Sequence, residues 1–270
     1  MARRLTSRLW SRFARRVGRG QCLWLVLSVA AAPLAAEGMG PDDIGYWSPG
    51  WPDILLSAEF THPTTRYTHG VLGDAIEWSG LSLRFVSKGG AAWVLEIPLP
   101  ADHVFEDLEP RLVDLNLDGR PDAVMVVETD MALGAALAIY GAMGKIAETP
   151  HIGRSNRWLA PIGAGDLDGD GRVELAYVDR PHLAKTLKIW RFEAGALTQV
   201  ASKAGLTNHR IGDDFITSGL RNCTQGPELI TVDASWQRLV ASRLQADDIK
   251  SRDIGAYSGV ASLQAALECR

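Results

Sequence analysis

Two nine-residue stretches, Asp114-Leu-Asn-Leu-Asp-Gly-Arg-Pro-Asp122 and Asp166-Leu-Asp-Gly-Asp-Gly-Arg-Val-Glu174, begin 52 residues apart and constrain this chain more than any other feature. Positions 1, 3 and 5 carry side-chain oxygens in both: Asp114, Asn116 and Asp118 in the first, Asp166, Asp168 and Asp170 in the second. Position 6 is glycine (Gly119, Gly171) and position 9 is acidic (Asp122, Glu174). Oxygens alternating along a tight turn can converge on a hard cation, and Ca²⁺ takes about six to eight of them at roughly 2.3–2.6 Å. The glycine lets the backbone curl round the ion, and the carbonyls of Arg120 and Arg172 at position 7 are the expected main-chain ligands. The spacing therefore predicts two structural Ca²⁺ sites, one from Asp114, Asn116, Asp118, Arg120 and Asp122, the other from Asp166, Asp168, Asp170, Arg172 and Glu174. The alternative is a pair of Asp/Asn/Gly-rich turns that hold no ion.

The residues after each loop argue against a helical calcium motif. An EF-hand needs an acidic ligand at position 12, where this chain has Met125 and Tyr177 inside the apolar runs Ala123–Val127 and Leu175–Val178. Position 9 must supply the last carboxylate, and a strand must come next. A second apolar segment lies beyond each, Ala135–Tyr140 and Thr186–Phe192, with turns at Gly141–Gly144 and Glu193–Gly195. A third copy shows in outline as Pro227–Asp233 and Trp236–Ser242, but its loop, Arg221–Gly226, has lost the acidic residues. Upstream, Leu81–Val86 and Trp93–Ile97 form another β pair. Residues from about 60 to 255 thus read as four units of roughly fifty residues. Short strands at this density predict an all-β fold. A unit of this length cannot bury both faces of its own small sheet, so units must stack. The expectation is a β-propeller-like domain of about four to five blades over residues 37–270. An open partial propeller and a β-sandwich with calcium loops are the alternatives.

The loops Asp114–Asp122 and Asp166–Glu174 resemble the calcium loops of FG-GAP/VCBS repeats, the units of integrin α-subunit propellers and of many secreted bacterial proteins. Ile162-Gly163-Ala164-Gly165, just before the second loop, is similar to a degraded FG-GAP signature. The resemblance covers residues 110–180 well, extends to about 245, is thin before 105 and is absent from the tail. It implies a propeller with Ca²⁺ between adjacent strands of a blade, and a metal-free blade where Arg221–Gly226 stands.

The first 36 residues differ from the rest. They hold seven arginines and no acid, and Cys22–Ala36 is an apolar run ending in small residues. That pattern predicts a secretory signal peptide over residues 1–36, with an uncleaved anchor as the alternative. Without it the chain carries 21 basic and 32 acidic residues, a net charge of −11. An acidic body repels nucleic acid and anionic lipid and suits cations. A periplasmic or secreted protein is expected, with no stable membrane insertion once the signal is cut. Cys223 and Cys269 then remain as an even pair, compatible with one intramolecular disulfide or with two free thiols.

No nucleophile elbow, zinc-protease helix, phosphate loop or dinucleotide glycine motif occurs. The segment Tyr67–Trp78 gathers His69, Asp74 and Glu77 near two glycines, either as an acid/base cluster or as a turn before a strand. Trp190 and Trp236 are expected at equivalent strand positions, packing between units. The function expected is non-catalytic binding of a protein or glycan. A hydrolase with its site near His69–Glu77 and a structural accessory subunit are the alternatives.

Overall fold

The central strands pair as continuous apolar runs that bury both of their faces, with successive side chains entering opposite cores. A computed structural model of the chain describes residues 53–270 except Lys88. The expected signal peptide lies outside the described residues. All described residues fall within one compact unit, Ile44–Arg270. The protein is all-β, with three antiparallel sheets and one short helix.

The first sheet has eight strands: β1 (Ile54–Thr64), β2 (Glu77–Val86), β3 (Ala92–Pro98), β4 (His103–Phe105), β5 (Arg111–Val113), β6 (Ala123–Asp130), β7 (Gly134–Gly141) and β8 (Gly144–Glu148). It contains two antiparallel meanders, β1–β3 and β5–β8, joined by β4, which pairs with β2 at Trp78↔Phe105 and with β6 at His103↔Asp130. The second sheet is a plain meander of β9 (Leu159–Gly165), β10 (Val173–Asp179), β11 (Thr186–Glu193) and β12 (Ala196–Ala204). The third holds β13 (Leu206–Thr207), β14 (Gly219–Cys223), β15 (Gly226–Asp233), β16 (Arg238–Gln245) and β17 (Asp248–Ala256). Helix α1 (Val260–Leu267) comes last.

The meanders stack face to face, and the side-chain alternation shows how. Along β6, Ala123, Met125 and Val127 enter a core shared with β10, while Val124 and Val126 enter a core shared with β2. Along β10, Val173, Leu175 and Tyr177 share the first of these cores, and Ala176 and Val178 pack against the third sheet. Each strand serves two interfaces, as strands of stacked sheets must. The outer face of β15 and β16 is covered by α1, whose Leu263 and Ala266 pack on Ile230, Val232 and Leu239. No helix among the described residues is long and apolar enough to cross a membrane.

Two details depart from the sequence reading. The first two units are not separate sheets, because Phe105 on β4 is fully buried against Phe60 and Tyr140 and pins the bridge between them. Trp236 does not share a strand position with Trp190. It sits in the turn before β16 at φ 61, where the Asp233 carboxylate caps the backbone N–H groups of Gln237 and Arg238.

Candidate metal centre

The two acidic loops have the same backbone. Position 4 is left-handed in both (Leu117 at φ 59, Gly169 at φ 83), and so is position 6 (Gly119 at φ 86, Gly171 at φ 83). Added Cβ atoms at Gly119 and Gly171 would meet nothing within 4 Å, so glycine is there for conformation and not for space. The hydrogen bonds repeat as well. The position-1 carboxylate accepts from the N–H groups of positions 5 and 6, at Asp118 and Gly119 and again at Asp170 and Gly171. The position-5 carboxylate accepts from position 7, and the position-9 carboxylate from position 2. Each loop thus folds round its own carboxylates and delivers the position-9 residue to the head of the next strand.

The position-9 carboxylates are buried, which raises the question of what balances their charge. Asp122 is 7% exposed and Glu174 is fully buried. The pairing frame identifies their third equivalent. Ala123↔Gly141, Leu175↔Trp190 and Leu229↔Ser242 are corresponding pairs, so Asp122, Glu174 and Glu228 correspond. One residue along, Glu174 pairs with Arg191, and the corresponding positions in the other copies are Ala142, in the turn after β7, and Arg243.

These neighbours differ in a telling way. Arg191 reaches Glu174 at 2.7 Å, Asp168 at 2.7 Å and Asp170 at 3.3 Å, placing a guanidinium among the second loop's carboxylates. Glu228 is met by Arg243 at 3.2 Å, Arg221 at 2.5 Å and Arg252 at 2.7 Å, three cations for one carboxylate. Ala142 offers no charge, and among the described residues no cation lies within ion-pair distance of Asp114, Asp118 or Asp122. Burial, then the charges of Asp114 and Asp118, push the Asp122 carboxyl up to about 6.

Asp166, Asp168 and Glu174 bring oxygens within 4.8 Å of one another and can hold a metal ion; among the described residues no other such group forms. In the first loop position 3 is Asn116 where the second has Asp168, so the same three positions there offer two carboxylates and one amide oxygen. The third copy has no loop at all: Cys223 and Gly226 pair directly across a two-residue turn. No family model and no curated protein matches the chain. Among solved structures, the major Malassezia sympodialis allergen Mala s 1 shares 10% identity, with 75% of this chain and 82% of that chain covered, at a TM-score of 0.29. A likeness that low carries no argument.

The structure also separates the residues of the His69–Glu77 segment. Asp74 is exposed and caps the Ile76 N–H. His69 turns instead to Glu106, 37 residues away, with Nδ1 at 2.5 Å from Oε1. Glu77 is 3% exposed, and burial, then the charge of Glu106, raise its carboxyl from the ordinary 4.5 to about 9. The folded chain therefore keeps a proton that the unfolded chain loses, and this group's contribution to stability falls as pH rises from 4.5 to 9. Glu77→Gln is expected to raise the melting temperature at pH 8 by several degrees and to leave it nearly unchanged at pH 4. Parallel melts of the two proteins across that range check this.

Proposed function

We infer that the chain is a calcium-stabilised repeat scaffold of the FG-GAP/VCBS kind, a propeller-like stack that binds a protein or glycan in the periplasm or outside the cell. The single observation that carries the calcium reading is the buried carboxylate of Asp122, which has no cation beside it among the described residues. Its two counterparts each have a guanidinium, and only its own loop keeps side-chain oxygens at positions 1, 3 and 5 with no cation among them. Ca²⁺ in the first loop would be held by Asp114, Asn116, Asp118, the Arg120 carbonyl and Asp122. In the second loop the residues Asp166, Asp168, Asp170, Arg172 and Glu174 bind an ion only in competition with Arg191.

The role proposed for the ion is structural. It cancels the repulsion among carboxylates held a few ångströms apart and locks the turn between β5 and β6. An export route is supported by the disulfide between Cys223 and Cys269, a bond that persists in oxidising compartments. Ligand binding is supported by a cavity of about 520 Å³ whose walls include the exposed side chains of Leu108 and Phe215 beside Arg111, Ile162 and Asp214.

Wild-type protein is expected to melt higher in millimolar Ca²⁺ than in EGTA. An ion at a hundredfold excess over its Kd contributes about 2.7 kcal/mol. Asp122→Asn should remove most of that difference. Identical wild-type melts in EGTA and calcium would sink the reading, and a glycan array probed in both conditions tests the partner class.

A further inference from the structure

Apart from the acidic loops, the described residues hold a second organised site, a cavity of about 210 Å³ lined by His69, Arg157, Trp158, Arg180, His182 and Ile211. His69 is 18% exposed at its side chain and leans on a Glu106 carboxylate that is fully buried. The other oxygen of Glu106 accepts from the Thr129 hydroxyl at 2.7 Å. The Trp158 indole N–H donates to the Glu106 carbonyl at 2.8 Å, which fixes the cavity wall to the same residue. Glu106 thus has no freedom to turn away; burial raises its carboxyl and the His69 ring opposes that shift, and with the carboxylate ionised the shared proton sits on His69 Nδ1. The lone pair on Nε2 is left free, and no hydrogen bond to it exists among the described residues.

His182 arrives at the cavity by a similar relay. His209 Nε2 faces the carbonyl of Asp213 at 3.0 Å, an acceptor only, so that nitrogen carries the proton. Burial lowers both His209 and His182, the latter to about 4, so both rings are neutral near pH 7. His209 Nδ1 therefore accepts from His182 Nε2 at 3.0 Å, and His182 keeps a lone pair on Nδ1. Two oriented imidazole acceptors belong to one small cavity.

Its two arginines have the opposite character. Arg180 and Lys188 share the single carboxylate of Asp179, at 2.8 and 3.0 Å, leaving one positive charge in excess. The Arg157 guanidinium hydrogen-bonds only the Asn156 carbonyl among the described residues. A concave, largely apolar space lined by two imidazoles and two arginines matches a reaction in which water loses a proton while a carbonyl oxygen gains negative charge.

We propose that this cavity hydrolyses small carboxylic esters with His69 as general base and Arg180 and Arg157 at the developing oxyanion. His69 Nε2 takes a proton from a bound water, and the water oxygen bonds to the ester carbonyl carbon. The carbonyl oxygen becomes the oxyanion against a guanidinium. Collapse of that intermediate breaks the bond to the alcohol oxygen, which leaves with the proton carried by His69. Water and ester are consumed, acid and alcohol are released, and no further reactant is needed. Glu106 is a positioning residue that orients the imidazole and balances its charge while it is protonated.

The test is hydrolysis of 4-nitrophenyl acetate by the full chain freed of its first 36 residues. General-base catalysis predicts a rate about 10²–10⁴-fold above the buffer reaction. His69→Gln should return it to the buffer rate, Arg180→Gln should cut it about tenfold, and His62→Gln, at an exposed histidine away from the cavity, should change nothing. The rate should persist in EGTA below the melting temperature, which separates this proposal from the calcium reading. A wild-type rate equal to buffer, or a His69→Gln variant as active as wild type, overturns it. If His69→Gln fails to fold, Arg180→Gln decides, and an unchanged rate there overturns the proposal equally.

Discussion

Arg191→Ala is expected to cost about 3–5 kcal/mol in EGTA, the usual penalty for removing one partner of a buried ion pair, and much less in millimolar Ca²⁺. The cost in EGTA arises because Glu174 is fully buried and Arg191 is its ion-pair partner, while the same guanidinium also holds Asp168 and Asp170. For a chain of this length that corresponds to a fall in melting temperature on the order of 10 °C. Calcium should restore most of it, because removing the guanidinium leaves three converged carboxylates on a backbone already shaped like the first loop. Thermal melts of the variant with and without calcium measure both numbers. A deficit that calcium does not reduce would mean that the second loop is an ion-pair network and not a disguised metal site. In the third copy, Arg243→Ala should be destabilising with no rescue by calcium, since no acidic loop stands in front of Glu228.

Opening the disulfide is the second large effect. Cys223 and Cys269 are 46 residues apart, and closing a loop of that length is worth about 4 kcal/mol of unfolded-state entropy. The bond also anchors a cap. Helix α1 covers Ile230, Val232 and Leu239, Arg221 donates to the Ala266 carbonyl at 2.6 Å, and the apolar contact runs through Leu263, Ala266 and Leu267. The Leu267 side chain lies directly over the Gly219 backbone, where an added Cβ would come within 2.7 Å of it. The Cys223→Ser/Cys269→Ser protein should therefore melt on the order of 10 °C lower, and limited proteolysis should release the C-terminal segment first. Reduction of the wild type should reproduce both results. Equal melting of oxidised and reduced protein would show that the helix is held by packing alone.

The acidic loops were legible in the sequence because they are local: five positional requirements fall within nine residues, and the backbone they demand is the one observed in both copies. The strands after them were legible for the same reason, since short continuous apolar runs bounded by turns specify buried extended chain. The features that were not legible depend on pairing between distant strands. Arg191 lies 17 residues after Glu174 and Arg243 lies 15 after Glu228, and only the register of β10 with β11 and of β15 with β16 turns those offsets into contacts. A basic residue at similar offsets after two of three equivalent carboxylates is a signal that can be found in hindsight by aligning the copies. His69 and Glu106 left no such trace, because they lie in separate connections, one between β1 and β2 and the other directly after β4, that meet only in the folded chain. Helix α1 escaped notice because it is eight residues long with only Leu263 and Ala266 buried, too short a stripe for helical periodicity to show. Trp236 misled because aligning it with Trp190 ignored the turn that Asp233 caps.

The central claim is that every buried carboxylate at the ninth position is matched by a cation, supplied by arginine in the second and third copies and from solution in the first. A calorimetric calcium titration of the calcium-stripped wild type and of Arg191→Ala tests it most directly. One ion per chain for the wild type and two for the variant is the predicted result. Two equivalent ions already bound by the wild type, or no heat from either protein, would contradict it.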